Sequence, residues 1–271
     1  MRNTYVWARR KLEQAEKILS LSAERELTMQ ELNLVLELLE EIKRHHPDLF
    51  QGENTYLWEE LAFAYYNLHH IGRAERCLRV LAELIPDSSE PFINLGAFFL
   101  NEGLIDRAIN AYLEGLAVNP DDEYLCFNLA SLYASIGAYR KADSVMNKAV
   151  LANPTRALTH MLKGDIAAER GLFELAAHSY EHALELMEDD CWIEMRRNCY
   201  FKLAAALMHL GHYERCILTI EKLITVYSDC CSDVYLILAR CYQKLGNPDL
   251  TRWYAKKAEQ QYRLENSSLR E

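Results

Sequence analysis

The chain has 271 residues, half of them apolar, with only 10 glycines and 6 prolines, so disorder is excluded for most of its length. Thirty basic and 40 acidic side chains give a formal net charge of −10, which repels a phosphate backbone, and nucleic acid is therefore not expected as a partner. No run of about 18 apolar residues is present, as a membrane-spanning helix would need. We expect a soluble, cytoplasmic protein.

Residues 1–50 precede the regular part of the sequence. Apolar residues recurring every three or four positions predict two amphipathic helices, over 6–19 and 29–44, that end before Pro47. Because the end of a repeat array has one side facing water, these residues are predicted to form an N-terminal helical capping hairpin. An arm that binds a second partner is the alternative.

From residue 51 onward, equivalent residue types recur every 34 positions. The interval separates Pro86, Pro120 and Pro154; Ala74, Ala108, Ala142 and Ala176; and Gly103, Gly137 and Gly171. Within a unit, Trp58, Leu61 and Tyr65 lie on one face of a first helix, and a second apolar face follows after a turn. Each unit is thus predicted to be a helix hairpin that buries its apolar face against its neighbours.

These residues resemble the tetratricopeptide repeat, whose unit has 34 residues and a similar order of Trp, Leu-Gly, Tyr, Ala and Pro. The resemblance implies an all-α fold, a right-handed α-solenoid of helix-turn-helix repeats with a concave groove lined by the first helices. Residues 51–190 are predicted to form four regular units. The fourth unit departs from the pattern at Lys163 and Ala167, where Leu and an aromatic residue are usual, so its first helix is open to a different placement.

Beyond residue 190 the interval lengthens. Gly211 follows Gly171 by 40 residues, and Gly246 follows 35 residues later. Residues 191–271 are therefore predicted to form an elongated helix, two irregular units and a C-terminal helix that extends past Arg263. Asp189 or Asp190 is the expected cap of the elongated helix.

The chain offers no recognisable catalytic motif. Phosphate-binding and dinucleotide-binding glycine patterns, His-Glu-x-x-His and Gly-x-Ser-x-Gly do not occur, so we predict neither an enzyme nor a cofactor. His178 and His182 lie one helical turn apart, but two ligands leave a zinc shell half empty and a solvated surface is expected instead.

Five of the eight cysteines lie in helical patterns and are predicted to be reduced, buried fillers: Cys77, Cys126, Cys199, Cys216 and Cys241. The adjacent Cys230 and Cys231 suit neither an ordinary disulfide nor a zinc site.

The resemblance implies that first-helix side chains outside the packing face contact the partner. By register these candidates are Tyr56, Glu59, Phe63, Ile93, Asn94, Asn101, Phe127, Asn128, Ser131, Met161, Asp165, Phe201 and Arg240. The groove is expected to be apolar, acidic at its start and basic at its end. Asn94 and Asn128 are equivalent positions whose amides suit a peptide backbone. The family's clamp for chaperone carboxylates is not predicted, because its cations are missing around both asparagines.

We therefore predict a non-catalytic adaptor or scaffold that binds an apolar or amphipathic segment of another protein in the groove. One alternative is a secretion-type chaperone that keeps a client segment soluble. Another is a self-assembling scaffold, a homo-oligomer formed through the C-terminal helix, because no later helix covers Trp253, Tyr254 and Tyr262. Folding of these aromatics onto the preceding hairpin is favoured over self-assembly.

Overall fold

The computed structural model describes residues 2–50, 54–187, 193–227 and 231–267. Within these residues it contains 14 α-helices and two short 3-10 helices, and no strand. The chain divides into two compact units, residues 1–132 and 133–271. The all-α fold of helix hairpins predicted from the 34-residue interval is confirmed within each unit.

Unit 1 begins with the N-terminal hairpin and continues with the first repeats. Its helices are α1 (Arg2–Ser20), α2 (Met29–His45), α3 (Tyr56–Asn67), α4 (Ile71–Leu84), α5 (Glu90–Asn101), α6 (Ile105–Val118) and most of α7 (Glu123–Ser135). A capping box starts α2: the Thr28 hydroxyl accepts the Glu31 N–H, and the Glu31 carboxylate accepts the Thr28 N–H. After α2, Pro47 opens a 3-10 turn that ends at the buried Phe50.

Unit 2 continues the series of hairpins. Its helices are α8 (Tyr139–Ala152), α9 (Ala157–Glu169), α10 (Phe173–Leu186), α11 (Ile193–His209), α12 (Tyr213–Tyr227), α13 (Ser232–Lys244) and α14 (Pro248–Ser267). Helix α11 has 17 residues against 13 in α9 and in α13, so the extra residues from Ile193 onward are helical. The expected caps Asp189 and Asp190 lie outside the described residues. Helix α14 extends past Arg263 as predicted.

Glycine makes the turn between the first and second helix of most hairpins. The backbone φ is between 71° and 74° at Gly103, Gly137, Gly171, Gly211 and Gly246. In the hairpin of α3 and α4 the equivalent place is held by His69, with a φ of 60°. A left-handed conformation disfavours a side chain by about 1–2 kcal/mol, so the first turn is the most strained of the series.

Small residues let the helices of one hairpin approach closely. The alanines of the 34-residue ladder are completely buried: Ala74, Ala108, Ala142 and Ala176. At Gly96 of α5, an added Cβ would lie 2.1 Å from the buried Tyr112 ring of α6, and at Gly164 of α9 it would lie 2.5 Å from the Tyr180 ring of α10. Each of these tyrosines therefore packs directly on the backbone of the preceding helix.

Ion pairs between residues about one repeat apart join successive second helices. In unit 1, Arg76 lies 2.5 Å from Glu40 and Arg107 lies 2.5 Å from Glu75. In unit 2 an equivalent pair joins Arg215 to Glu181 at 2.7 Å. Such surface pairs contribute about 0–1 kcal/mol each, but they occupy the cations Arg76, Arg107 and Arg215 of the second helices.

Six cysteines lie in the described residues, and all six are free thiols. The five predicted to be buried fillers are buried, and burial raises the pKa of Cys77 and of Cys199 to about 12. Cys231 is half-buried, and Cys230 lies outside the described residues. The buried thiols are therefore packing groups in the hairpins that contain them.

The aromatic residues of α14 divide between packing and exposure. Tyr254 packs against Tyr235 and Tyr242 of α13, with ring centroids 6.4 Å and 5.4 Å apart. Trp253 and Tyr262 are 51% and 61% exposed. The favoured prediction, that these aromatics fold onto the preceding hairpin, thus describes Tyr254 but not the other two.

Candidate functional site

The first-helix face of unit 1 is the surface presented by α3, by α5 and by α7 up to residue 132. Polar and aromatic contacts join α3 to α5 on this face. The Asn94 amide donates to a Glu59 carboxylate oxygen at 2.7 Å, and the Phe63 ring packs edge-on against Phe98 with 5.1 Å between centroids. The structure thus brings together three residues that the repeat register selected separately, Glu59, Phe63 and Asn94.

The start of this face carries acidic side chains. The Tyr56 hydroxyl donates to Glu16 of α1 at 3.1 Å. Burial raises the pKa of both Glu59 and Glu60, and nearby carboxylates raise it further: Glu90 acts on Glu59, while Glu59 and Glu16 act on Glu60. In the part of the chain that the structure describes, no cation forms an ion pair with Glu59 or Glu60. The face therefore holds negative charge that unit 1 leaves uncompensated.

Aromatic side chains lie beside these carboxylates. Phe63 is 40% exposed and Tyr56 is 42% exposed. Phe98, which supports Phe63, is buried and stacks on Tyr66 with 4.1 Å between centroids. Phe63 is consequently an exposed ring on a rigid support.

The remaining unit 1 candidates extend along α5 and α7. Ile93 is half-buried and Asn101 is exposed at the end of α5. Phe127, Asn128 and Ser131 are half-buried on α7. Asn94 differs from Asn128 in that its amide is oriented by the bond to Glu59, which leaves its carbonyl oxygen and one N–H for a partner.

In unit 2 a cleft of about 570 Å³, the α9–α11 cleft, lies between α9, the start of α10 and α11. The candidate Asp165 lines it. Lys202 of α11 lies 2.7 Å from one Asp165 oxygen, and the Tyr180 hydroxyl donates to the other oxygen at 2.8 Å. Burial and the nearby Asp165 carboxylate raise the pKa of Tyr180, so Tyr180 remains a neutral donor. Asp165 is therefore held in place by two donors on different helices.

Further along the α9–α11 cleft, one turn beyond Asp165, the lining combines one carboxylate with an aromatic pair. Glu169 accepts a hydrogen bond from the Tyr139 hydroxyl at 3.2 Å, and this bond raises the pKa of Tyr139. Phe173 and His209 stack with 4.2 Å between centroids and 3° between ring planes. The repeat register did not select Glu169, Phe173 or His209; the one available signal was the missing aromatic at Ala167, which indicated extra space in this unit.

The other unit 2 candidates are dispersed. Met161 and Phe201 are half-buried and pack against the core of the unit. Arg240 is exposed on α13. In the described contacts these three residues do not join the α9–α11 cleft.

The histidine pair of α10 is not uniformly solvated. His178 is exposed, but the His182 ring packs edge-on against the buried His160 of α9, with 4.3 Å between centroids. Burial is the main cause that lowers the pKa of His160. No group of three or more histidine, cysteine, aspartate or glutamate side chains suited to a metal ion occurs within the described ranges.

Comparison with known proteins agrees with this architecture. A family model of the tetratricopeptide repeat matches residues 124–156. The BBSome complex member BBS4 of Bos taurus is 29% identical over 90 residues, 33% of this chain and 17% of that protein. The TPR repeat-containing protein MJ1428 of Methanocaldococcus jannaschii is 28% identical over 103 residues, 38% of this chain and 18% of that protein. The chain thus spans less than a fifth of the length of these relatives.

A solved structure shows the same fold. YrrB, described as a TPR protein with an unusual peptide-binding site, superimposes with a TM-score of 0.59 at 16% identity, over 67% of this chain and 90% of that one. None of the described helices is both long enough and apolar enough to cross a membrane. The 34-residue ladders, the glycine turns, the family match over residues 124–156 and this structural similarity together support a fold built from tetratricopeptide repeats.

Proposed function

We propose that this protein is a non-catalytic adaptor or scaffold whose first-helix faces bind an apolar or amphipathic segment of another protein. The observation that carries the proposal is the group formed by Phe63, Glu59 and Asn94. An exposed ring on a buried support lies beside an oriented amide and an uncompensated carboxylate. Exposed apolar side chains grouped with polar ones are typical of binding surfaces.

The distribution of charge supports the same surface. Several cations of the second helices form ion pairs with carboxylates of the neighbouring second helix, such as Arg76 with Glu40 and Arg107 with Glu75. Glu59 and Glu60 of the first-helix face of unit 1 have no such ion-pair partners in the described residues. Uncompensated negative charge next to an exposed aromatic ring favours a protein partner that supplies both a cation and an apolar side chain.

The comparisons support an interaction role of this kind. The tetratricopeptide-repeat fold supports participation in protein–protein interaction, and YrrB is described as having a peptide-binding site. BBS4 is described as a member of a complex. A cytoplasmic location is part of the proposal and fits the buried free thiols of the hairpins.

Site-specific photo-crosslinking tests the proposal. A photoreactive phenylalanine analogue replaces Phe63, and the matched control places it at Leu151 of the second helix α8, which is 82% exposed. In extract of the native cell, we expect discrete cross-linked partners at position 63 that are absent at position 151. Identical cross-linking at both positions would rule out the first-helix face as the binding surface.

The same experiment separates an adaptor from a secretion-type chaperone. A chaperone keeps its client soluble. A client that cross-linking identifies should therefore aggregate and sediment when it is prepared without this protein. An adaptor's partner should stay soluble alone.

A second candidate function is self-association through α14. The observation that favours it is the exposure of Trp253 and Tyr262, two large aromatic side chains on a terminal helix. Sedimentation velocity of the purified chain and of the Trp253→Ala variant tests it. A concentration-dependent dimer lost in the variant would support the idea, and a monomer at all concentrations would reject it.

A further inference from the structure

The chemistry of the α9–α11 cleft specifies one side chain of the partner. Building on the proposed function, we propose that the cleft binds an arginine side chain of the partner segment. Its guanidinium group bonds to Glu169, and its plane lies against the aromatic pair of Phe173 and His209. Among the lining residues, the repeat register selected Asp165 but not Glu169, Phe173 or His209.

The cleft has room for a long side chain because small residues line it. Three alanines, Ala168, Ala205 and Ala206, face the cavity of about 570 Å³. The adjacent Ala167 takes the position that Tyr65, Phe99 and Tyr133 fill in the preceding repeats. Volumes of roughly 300–1,000 Å³ are typical of sites that enclose a ligand group.

The charges of the cleft leave one carboxylate without a cation. Lys202 is compensated by Asp165 at 2.7 Å, and Asp165 also accepts the Tyr180 hydroxyl. Glu169 receives only the Tyr139 hydroxyl, and its neighbour Arg170 is paired with Asp143 at 2.5 Å. No cation within the described ranges pairs with Glu169. The lining therefore carries an excess negative charge at the wall formed by Glu169.

Arginine matches this wall better than the other charged side chains. The guanidinium group is planar, stacks on aromatic faces and presents donors that match a carboxylate, whereas the lysine ammonium lacks a plane. A partner carboxylate would have to displace Asp165 from Lys202 while lying near Glu169, which opposes it. Because Phe173 and His209 stack flat on each other, with 3° between ring planes, the planar cation lies against an outer face of this pair.

The first-helix face of unit 1 has the same combination of groups in a separate place. Glu59 and Glu60 lie beside the exposed rings of Tyr56 and Phe63 without a cation partner in the described residues. This second aromatic and acidic surface also suits a basic side chain of a partner. The formal net charge of −10 acts in the same direction.

The test is an NMR titration of the isotopically labelled full chain with N-acetyl-L-arginine methylamide. We expect saturable shifts at Glu169, Phe173 and His209, with a dissociation constant in the millimolar range, about −4 kcal/mol or weaker. The lysine derivative should bind several-fold more weakly, and the glutamine and glutamate derivatives should not saturate. Glu169→Gln should weaken arginine binding about tenfold, while the matched control Glu214→Gln, an exposed carboxylate on α12, should leave it unchanged.

The proposal is overturned if arginine gives no saturable shift, if the glutamine derivative binds equally well, or if Glu169→Gln binds arginine as the unmodified chain does. The amide spectrum of Glu169→Gln, compared with that of Glu214→Gln, establishes that the variant is folded. Failure of arginine binding with the cross-link at position 63 retained rejects only the cleft assignment. Loss of that cross-link rejects the proposed function itself.

Discussion

Replacing Gly96 by alanine tests whether tyrosine rings packed on glycine hold the hairpins together. The added Cβ would lie 2.1, 2.4 and 2.6 Å from three atoms of the Tyr112 ring. Heavy atoms cannot approach so closely, so either the ring or the helix must move. Tyr112 is 2% exposed, which means that the ring has no solvent to move into without leaving the core.

The expected magnitude is a balance of two effects. Alanine is favoured over glycine inside a helix by about 1 kcal/mol. Forcing an extra carbon into a filled core costs typically about 1–3 kcal/mol and more if a large ring is displaced. Because the overlap at Gly96 involves three ring atoms, we expect the clash to dominate, with a net loss of about 1–3 kcal/mol.

Urea unfolding followed by circular dichroism at 222 nm measures this loss, with midpoint and slope compared between variants. Gly72→Ala is the matched control, since Gly72 lies in α4 with nothing within 4 Å of the added Cβ, and should be neutral or stabilising. In a Tyr112→Ala background the Gly96→Ala substitution should no longer destabilise. If Gly96→Ala stabilises the chain as Gly72→Ala does, the argument from close helix approach is wrong.

Three further predictions follow from the turns, the acidic face and the thiols. Gly171→Ala should lower stability by about 1–2 kcal/mol in urea unfolding, because its φ of 73° disfavours a side chain; an unchanged midpoint would refute this. Burial raises the pKa of Glu59 above 4.5, so its contribution to stability is full below pH 4.5 and is lost as the pH rises through the folded-state pKa. Glu59→Gln should therefore raise the urea midpoint at pH 7 more than at pH 4.5, and an equal change at both would contradict the assignment. Iodoacetamide at pH 8 should label Cys231 before Cys77, whose pKa is about 12, as peptide mass spectrometry will show; equal rates would contradict the burial.

The repeat interval predicts the helices because each hairpin buries the same positions. The glycine turns, the buried alanine ladder and the extent of α14 past Arg263 all follow from the spacing of residue types. The left-handed conformation of His69 does not, because the glycine that marks the other turns is absent there. That His69 adopts the same turn as the glycines is known only from its backbone φ in the structure.

The sequence predicts which helix face each candidate residue lies on, but not which side chains it contacts. The register selected Glu59, Phe63 and Asn94 as surface residues, yet their contacts with one another and with Phe98 depend on how α3 and α5 pack. The pairing of Asp165 with Lys202 spans the place where the 34-residue interval fails. Contacts across such an irregularity are set by tertiary packing rather than by local pattern.

The central claim is that the first-helix face of unit 1 binds a segment of another protein. The most direct test measures the affinity of the cross-linked segment, made as a fluorescent peptide, for the Phe63→Ala/Asn94→Ala chain and for the Leu151→Ala control by fluorescence anisotropy. We predict that the double variant loses at least about tenfold in affinity, or about 1.4 kcal/mol, while the control binds as the unmodified chain does. Equal affinity for all three chains, with the double variant shown to be folded, would contradict the account.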